Sequence, residues 1–333
     1  NLIIYYTYIQ DLCMNRKEPN FNKKINKNAI EKCNKCSLKK DENNIVNTLC
    51  KEVIGTDGEK IRCVGNWAYK KVYYITRYFD IFFNGMKNKF FNLNYLEICS
   101  GPGRCIYKNE GTEYDGTALS ILHHSSYKHA NSILFFDKEE EVVNILNNRI
   151  MKLGKQDKSK AFIADYYKYD DIINIISHNM VKENSLNLLV IDPTDCSVPF
   201  ETIKNIKKYL GKVDLIINFA YGTDLKRNIV KFVNGELTTA RDKYIKFLGD
   251  DDFLNNKDVK RYAEHNNNDK LLELYFNYYR EHLKQIGFTY IDPSVSVKHF
   301  YSLLFASANK RGFDFWKKIK EIESSGQRTL DLF

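Results

Sequence analysis

Short apolar runs, each ending in a polar residue, recur along the chain from residue 95 onward. Stretches with helical periodicity, such as residues 139–151 and 200–209, lie between them. Near-continuous apolar strands that alternate with helices are typical of a parallel sheet covered on both faces. The runs predicted as strands are 95–99, 133–137, 161–165, 188–192, 215–218, 288–290 and 301–306. The pattern therefore predicts an α/β fold with a doubly wound, mostly parallel sheet.

The pattern changes at two places, which divides the chain into parts. Residues 1–65 are polar, rich in Lys and Asn, and poor in periodic apolar positions. Apolar residues from Trp67 to Phe82 then recur at intervals of three and four, which predicts a helix ending near Gly85. Residues 224–286 replace the alternation with mostly helical sequence. We predict a cysteine-rich N-terminal module (1–65), a doubly wound domain (66–323) with a helical insertion (224–286), and a C-terminal tail (324–333).

A glycine turn, Ser100-Gly101-Pro102-Gly103, directly follows the first strand of the predicted sheet. Closely spaced glycines let a backbone approach a ligand, and the following amides can receive an anionic group. In dinucleotide-binding proteins such a turn meets pyrophosphate. In methyltransferases of the same sheet topology it meets the amino-acid end of S-adenosylmethionine. The missing third glycine and the embedded proline favour the second interpretation.

Open sheets bind ligands beyond the carboxyl ends of their strands. Asp137, at the second strand end, is predicted to accept hydrogen bonds from both ribose hydroxyls; the alternative is a helix N-cap. Asp137 lies 34 positions after Gly103, where about 20 is usual, so we expect an inserted piece, residues 116–120, between them. Asp165 is predicted to reach the adenine amino group, or to be a solvated loop acid. The predicted cofactor-binding residues are Glu97, Ser100, Gly101, Gly103, Asp137 and Asp165.

Asp192-Pro193-Thr194-Asp195 ends the fourth strand, nearest the position of the transferred methyl group. Enzymes that methylate exocyclic base amines place Asp/Asn-Pro-Pro-aromatic here: the acid or amide accepts the amine N–H, and the aromatic ring stacks on the extruded base. Asp192 and Pro193 are therefore the predicted catalytic residues. Thr194 and Asp195 depart from the pattern, so the stacking ring is missing or is supplied elsewhere, by Phe200 or Tyr221.

The chain has 8 cysteines, four of them spaced Cys33-x2-Cys36-x13-Cys50-x12-Cys63. The close pair could chelate one side of a tetrahedral zinc ion, and the loops could return the other two thiolates. The alternative is four thiols without metal. A disulfide framework is expected in short secreted chains, so the cysteines favour zinc and a reducing cytoplasm.

The charge balance indicates a polyanionic partner. Lys and Arg number 51 against 42 Asp and Glu, which gives a net charge of +9. This excess suits RNA or DNA, although an A/T-rich genome would give a similar composition. Lys226 and Arg227 are predicted to contact phosphate, or else to form a solvated face. No apolar run approaches the roughly 20 residues of a membrane span and no secretory leader opens the chain, so we expect no membrane partner and a cytoplasmic location.

Several phrases together resemble the three-Cys-motif partner protein family, TcmP. They are Trp67 with the helix into residues 95–103, Gly116-Thr117-Ala118, Ile191-Asp192-Pro193, residues 214–219, residues 301–307, and Gly326-Gln327. The resemblance implies a Rossmann-like methyltransferase domain and a radical-S-adenosylmethionine-like partner protein. It does not cover the cysteine-rich front. The family's Asp-Pro followed by an aromatic and glycine is absent here, because Thr194-Asp195-Cys196 follows instead. Two interpretations therefore remain: a methyltransferase acting on nucleic acid, and a non-catalytic scaffold that binds a partner protein or nucleic acid.

Overall fold

The computed structural model describes residues 22–36, 49–65, 68–107, 111–237, 240–297 and 301–321. Trp67 and the predicted tail 324–333 lie outside the described residues. The strands are β1 (Lys24–Ile25), β2 (Leu49–Ile54), β3 (Lys60–Val64), β4 (Asn92–Ile98), β5 (Arg104–Tyr107), β6 (Thr112–Asp115), β7 (Ser132–Asp137), β8 (Ser159–Ile163), β9 (Ser185–Ile191), β10 (Val213–Phe219), β11 (Tyr290–Val297) and β12 (Tyr301–Ser307).

Helices alternate with most of these strands. The α-helices are α1 (Lys27–Lys35), α2 (Ala68–Met86), α3 (Thr117–His123), α4 (Glu140–Lys152), α5 (Tyr169–Asn179), α6 (Phe200–Leu210), α7 (Lys226–Val233), α8 (Arg241–Leu248), α9 (Lys257–Glu264), α10 (Asn268–Gln285) and α11 (Lys310–Lys320). The predicted helix over residues 67–85 and the predicted helical insertion are both present. None of the helices in these described ranges is long and apolar enough to cross a membrane.

The main sheet has seven strands in the order β11-β12-β10-β9-β4-β7-β8. The five strands from β10 to β8 are parallel, whereas β12 runs antiparallel to both β10 and β11. The strand order reverses between β4 and β9, which makes their carboxyl ends the topological switch point. This arrangement confirms a doubly wound, mostly parallel, Rossmann-like sheet. Six of the seven predicted strands coincide with observed ones; the seventh, predicted at 288–290, begins only at Tyr290.

The core lies on both faces of the main sheet. Successive side chains of a strand point to opposite faces, so Tyr95 of β4 packs with α2, α3, α4 and α11, while Leu96 packs with α5–α10. In β9, Leu188 and Val190 lie on the first face, and Leu189 and Ile191 on the second. Burial on both faces is why these strands are apolar throughout rather than alternating.

A second, accessory sheet has the order β1-β6-β5-β3-β2 and combines the N-terminal segment with a later hairpin. β3 pairs with β5 in parallel, and the other pairs are antiparallel. The β5–β6 hairpin is the insertion that lengthens the chain before Asp137. Gly103 precedes this hairpin and Gly116 follows it, and the Gly116 amide donates a hydrogen bond to the Gly103 carbonyl at 2.8 Å. The expectation that residues 116–120 are inserted was wrong, because they begin α3. The predicted boundary at residue 65 does not separate the two sheets.

The structure does not support the predicted zinc site. Cys33 is buried with Ala29, Val53, Ile61 and Ile106 in a small apolar core, against which Cys50 and Cys63 pack. The described residues include all four cysteines, and they contain no group of three or more Cys, His, Asp or Glu side chains that could hold a metal ion. A buried thiol packs as a small apolar group, so the thiols help to fill the core of the accessory sheet.

Candidate functional site

A cleft of about 680 Å³ opens at the carboxyl ends of β4, β7 and β9. This is the switch point of the main sheet, where doubly wound proteins bind ligands. Leu49, Cys50 and Arg62 of the accessory sheet line its other side. A small cavity of about 60 Å³ lies at the glycine turn. The two spaces share Arg62, Cys99, Asp192 and Thr194 as lining residues, so they are adjacent.

The turn requires glycine at positions 101 and 103 for partly different physical reasons. Both have positive φ, +64° at Gly101 and +85° at Gly103, a conformation that other residues rarely adopt. A methyl group on Gly103 would lie 2.9 Å from Leu146 Cδ1, so Gly103 also allows the turn to pack against the helices. A methyl group on Gly101 would lie 2.9 Å from Arg62 Nη1. Gly101 therefore lets the Arg62 guanidinium lie directly against the turn.

Asp137, at the end of β7, is fixed to the glycine turn and faces the cleft. Its Oδ2 accepts a hydrogen bond from the Gly101 amide at 3.0 Å, and Oδ1 accepts one from the Glu139 amide at 3.3 Å. The N-cap of α4 is Glu139, so Asp137 is not the N-cap that the alternative required. Each carboxylate oxygen can accept a further bond. The side chain therefore retains the capacity to accept the two ribose hydroxyls.

Asp192, which follows β9, lines both the cleft and the small cavity. Its Oδ1 accepts hydrogen bonds from Lys71 Nζ at 2.7 Å and from Asn218 Nδ2 at 3.0 Å. Asn218 Nδ2 also lies 3.0 Å from the Pro193 carbonyl oxygen, so it holds the turn as well as the side chain. Among the described residues, none donates to Oδ2. Lys71 was missed by the sequence analysis, because a lysine on a largely apolar helix resembles one that extends to solvent.

Glu97 lies beneath the turn rather than in the cleft. It is fully buried, and its Oε2 accepts a hydrogen bond from Tyr95 OH at 2.9 Å. Burial, followed by the negative charge of Asp192, raises the pKa of Glu97 well above its ordinary value. This shift favours the protonated form of the carboxyl. Ser100 lines the small cavity, and its hydroxyl is buried without a hydrogen-bond partner in the described structure.

The helical insertion fixes the loop that follows Asp192 and Pro193. Asp224 Oδ2 accepts from the Cys196 amide at 3.0 Å and from Lys243 Nζ at 2.7 Å. Its Oδ1 accepts from Tyr244 OH at 2.7 Å. Lys243 also reaches Asp195 Oδ2 at 3.3 Å. The loop that departs from the expected Pro-aromatic sequence is thus held by the Asp195–Lys243 ion pair and by the hydrogen bond from the Cys196 amide to Asp224, rather than by proline.

The aromatic residues at the cleft are not the two that the sequence suggested. Phe200 is buried and packs against Tyr279 and His282, and Tyr221 packs against the core. Tyr166 instead lines the cleft and donates to Ser197 Oγ at 3.0 Å.

Tyr167, the neighbour of Tyr166, is 43% exposed, and the centroids of the two rings lie 5.1 Å apart. Lys246 Nζ lies 5.4 Å from the Tyr167 ring centre. The position of both tyrosines directly after a strand end was the signal that could have found them.

Besides Glu97, three predicted residues line neither the cleft nor the small cavity. Asp165 accepts from the Tyr167 amide at 3.0 Å and is not among the residues that line the cleft. Lys226 forms an ion pair with Asp269 at 3.1 Å, and neither Lys226 nor Arg227 lines either space. The structure brings together Ser100, Gly101, Gly103, Asp137, Asp192 and Pro193, and it leaves these three residues and Glu97 outside.

No family model and no curated protein matches the chain. Among solved structures, the chain is similar to the bifunctional kinase-methyltransferase WbdD, with 12% identity over 72% of this chain and a TM-score of 0.39. That match covers 39% of WbdD, so this chain spans about two fifths of its length. An O-methyltransferase from Bacillus cereus in complex with SAH matches with 9% identity, 91% of this chain, 96% of that chain and a TM-score of 0.38.

Cofactor-bound Rv0187 from MTB matches with 7% identity, 79% of this chain, 84% of that chain and a TM-score of 0.39. Likenesses this distant assign no activity. The doubly wound fold rests on the strand order itself, and the resemblance to the TcmP family stays a prediction.

Proposed function

We propose that the protein is an S-adenosylmethionine-dependent methyltransferase. The observation that carries this proposal is that Asp137 and Asp192 end the two strands that flank β4 and open onto one cleft beside the glycine turn. Asp137 would hold the ribose, and Asp192 would position the methyl acceptor. When bound, the cofactor supplies an electrophilic methyl group on a sulfonium sulfur.

The sheet and the small cavity favour this cofactor over a dinucleotide. Dinucleotide-binding sheets contain two parallel mononucleotide halves in the order 3-2-1-4-5-6. Here the strand beside β10 is antiparallel β12, so the second parallel half is lacking among the described strands. The small cavity is lined by Lys71 and Arg62 as cations and by Asp192 as an anion. Both signs of charge suit a zwitterionic amino-acid end, whereas pyrophosphate is only negative.

The surroundings of Asp192 suit the positioning of an acceptor. Lys71 and Asn218 hold Oδ1, so the carboxylate has one fixed orientation, and Oδ2 is left to accept an N–H or O–H. Because methyl transfer is an in-line displacement, alignment of the acceptor lone pair is the main requirement. These contacts favour catalysis over a scaffold, since a scaffold does not require an accurately held carboxylate oxygen in the cleft.

We propose nucleic acid as the acceptor. Tyr167 exposes its ring beside the cleft, and Lys246 lies over that ring. An exposed aromatic ring next to a cation is a suitable platform for stacking an unpaired base. The net charge of +9 favours the same partner. Lys226 is engaged with Asp269, so Lys246 is the better candidate for a phosphate contact.

Titration calorimetry with S-adenosylhomocysteine tests the cofactor. We expect one site per chain and at least a tenfold weaker affinity in Asp137→Ala, because this variant loses both the ribose acceptor and the bond to the Gly101 amide. Asp165→Ala is the matched control, since this acid also ends a strand but lies outside both cavities. Wild-type protein that binds no S-adenosylhomocysteine would contradict the proposal.

Transfer of labelled methyl groups to RNA and to DNA tests the acceptor. Asp192→Ala should lower transfer about 100-fold or more, a loss in the range seen when a catalytic polar group is removed. Tyr167→Ala should weaken nucleic-acid binding while cofactor affinity stays unchanged. Electrostatic binding is strongest at low salt, so affinity that is unmeasurable at about 50 mM salt would exclude nucleic acid as the acceptor.

A further inference from the structure

Arg62, on β3 of the accessory sheet, has no partner for its charge among the described residues. Its Nη1 lies against Gly101, and its Nε is buried without a hydrogen-bond acceptor. It lines both the cleft and the small cavity, so it stands where the two spaces meet. A guanidinium carries five N–H donors in a planar fork. Arg62 is half-buried, and to leave its buried Nε–H without an acceptor is unfavourable.

Two other arginines, Arg149 and Arg104, show how a guanidinium is paired elsewhere in this protein. Arg149 binds both oxygens of Asp57, at 2.7 and 3.1 Å, and the Pro102 carbonyl at 2.6 Å. Arg104 binds Glu113 and Asp115 at 3.1 and 3.3 Å. Arg62 differs from both because it forms no ion pair among the described residues, although Asp137 and Asp192 line the same cleft.

The acids near Arg62 are already committed. Asp137 bonds two backbone amides, and Asp192 bonds Lys71 and Asn218. Neither carboxylate forms an ion pair with Arg62 within the described structure. The space in front of the guanidinium therefore combines an unpaired cation, a glycine turn and a cavity of about 60 Å³. A planar anion that binds through two parallel hydrogen bonds matches the fork.

We propose that Arg62 binds the α-carboxylate of the cofactor's amino-acid end, so that the accessory sheet completes the cofactor site. This inference rests on the proposed function, and it names a residue that the main sheet does not supply. The nucleoside would occupy the cleft at Asp137, and the amino-acid end would enter the small cavity, with its ammonium near Asp192. Arg62 is then a specificity residue that distinguishes the complete cofactor from a nucleoside without the amino acid.

The docking of the accessory sheet keeps Arg62 in this place. Asp57 lies in the turn between β2 and β3, and its pair with Arg149 joins that turn to α4 and, through the Pro102 carbonyl, to the glycine turn. Burial alone would raise the pKa of Asp57, but the hydrogen bond and charge of Arg149 hold it below its ordinary value. The strand that carries Arg62 is therefore attached to the turn that the cofactor would contact.

Titration calorimetry with two ligands tests the proposal. S-adenosylhomocysteine carries the carboxylate, and 5′-methylthioadenosine lacks the amino acid but keeps the nucleoside. Arg62→Met should weaken S-adenosylhomocysteine about 10- to 100-fold, the range for loss of a charged hydrogen bond. Its affinity for 5′-methylthioadenosine should change less than threefold. Lys24→Met, which removes an exposed cation from the same sheet at a position outside both spaces, is the matched control and should leave both affinities unchanged.

The outcomes separate this proposal from the proposed function. If the wild-type protein binds S-adenosylhomocysteine and Arg62→Met binds it equally well, the role of Arg62 is overturned and the methyltransferase proposal stands. Equal losses for both ligands would also overturn it, because they indicate a structural role. Wild-type protein that binds neither ligand would overturn the proposed function itself. If Arg62→Met does not fold, Arg62→Lys keeps the charge but loses the fork, and it should still weaken only S-adenosylhomocysteine.

Discussion

Two groups of charged residues lie near the glycine turn, one buried and one half-buried, and they differ in how completely they are paired. In the accessory sheet, Arg104 joins Glu113 and Asp115, and all three are buried. In the cleft, Arg62 and Asp192 Oδ2 have no partner among the described residues. Gly103 lines the small cavity, whereas Arg104, the next residue, belongs to the paired group of the accessory sheet. Adjacent residues in the sequence therefore contribute to both regions.

The accessory cluster is saturated with hydrogen bonds. Arg104 Nη2 also donates to the Asn22 carbonyl at 3.1 Å, and His123 Nδ1 lies 2.6 Å from Asp115 Oδ2. Glu113 accepts further bonds from Asn26 and from Thr56. A buried network whose members are all satisfied stabilises one structure. Buried polar atoms that remain unsatisfied at a cavity indicate a ligand instead. The contrast therefore separates a structural cluster from the group that we propose to bind the cofactor.

The largest effect is expected from breaking the saturated cluster. Arg104→Met should lower the free energy of unfolding by about 3 to 5 kcal/mol, because Glu113 and Asp115 would remain buried without their cation. Urea unfolding of the variant and the wild type measures this loss. Lys60→Met, which breaks the exposed pair with Glu141, should change it by less than about 1 kcal/mol. If Arg104→Met lowered the free energy of unfolding by as little as Lys60→Met does, the paired cluster of the accessory sheet would not be a stabilising one.

A buried carboxyl that has no cation paired with it among the described residues gives the next effect, a dependence of stability on pH. Asp214 on β10 accepts from the hydroxyls of Tyr78 and Ser307, and burial raises its pKa from 3.8 to about 6. The folded protein therefore keeps a proton that the unfolded chain releases between about pH 4 and 6, so the free energy of unfolding falls as pH rises through this window. The total loss should be about 2 to 3 kcal/mol.

Asp214→Asn cannot lose this proton, so it tests the effect directly. Urea unfolding at several pH values between 4 and 7 should show the variant gaining stability relative to the wild type by about 2 to 3 kcal/mol as pH rises. Parallel curves for the two proteins would show that Asp214 does not titrate in this window.

The smallest effect concerns the thiols of the accessory sheet. Cys33→Ser should lower the free energy of unfolding by about 1 to 2 kcal/mol, because a hydroxyl would replace a thiol in the small apolar core. Cys36→Ser should change it by less than about 0.5 kcal/mol, since Cys36 is only half-buried at the end of α1. A zinc site would make both substitutions severe, since each would remove a ligand. About one zinc per chain by elemental analysis would contradict the conclusion that these thiols pack in an apolar core without metal.

The sequence determined the main sheet and the acids at its edge. Strands buried on both faces need continuous apolar runs, and the carboxyl ends of parallel strands meet at one edge. Local patterns are therefore sufficient to predict β4, β7, β9 and β10, helix α2, and the meeting of Asp137 with Asp192. The placement of Asp165 outside the cleft was not predictable in this way, because the direction of one loop decides it.

Only the tertiary structure decided the accessory sheet and the residues it brings to the cleft. Its strands are short and polar, and β3 pairs with β5 across some 40 positions of chain. The cysteine spacing gave distances along the chain, whereas coordination depends on where side chains lie after folding. Arg62 and Lys71 likewise resemble ordinary exposed cations in sequence. Their importance arises from long-range contacts with the glycine turn and Asp192, which no local pattern encodes.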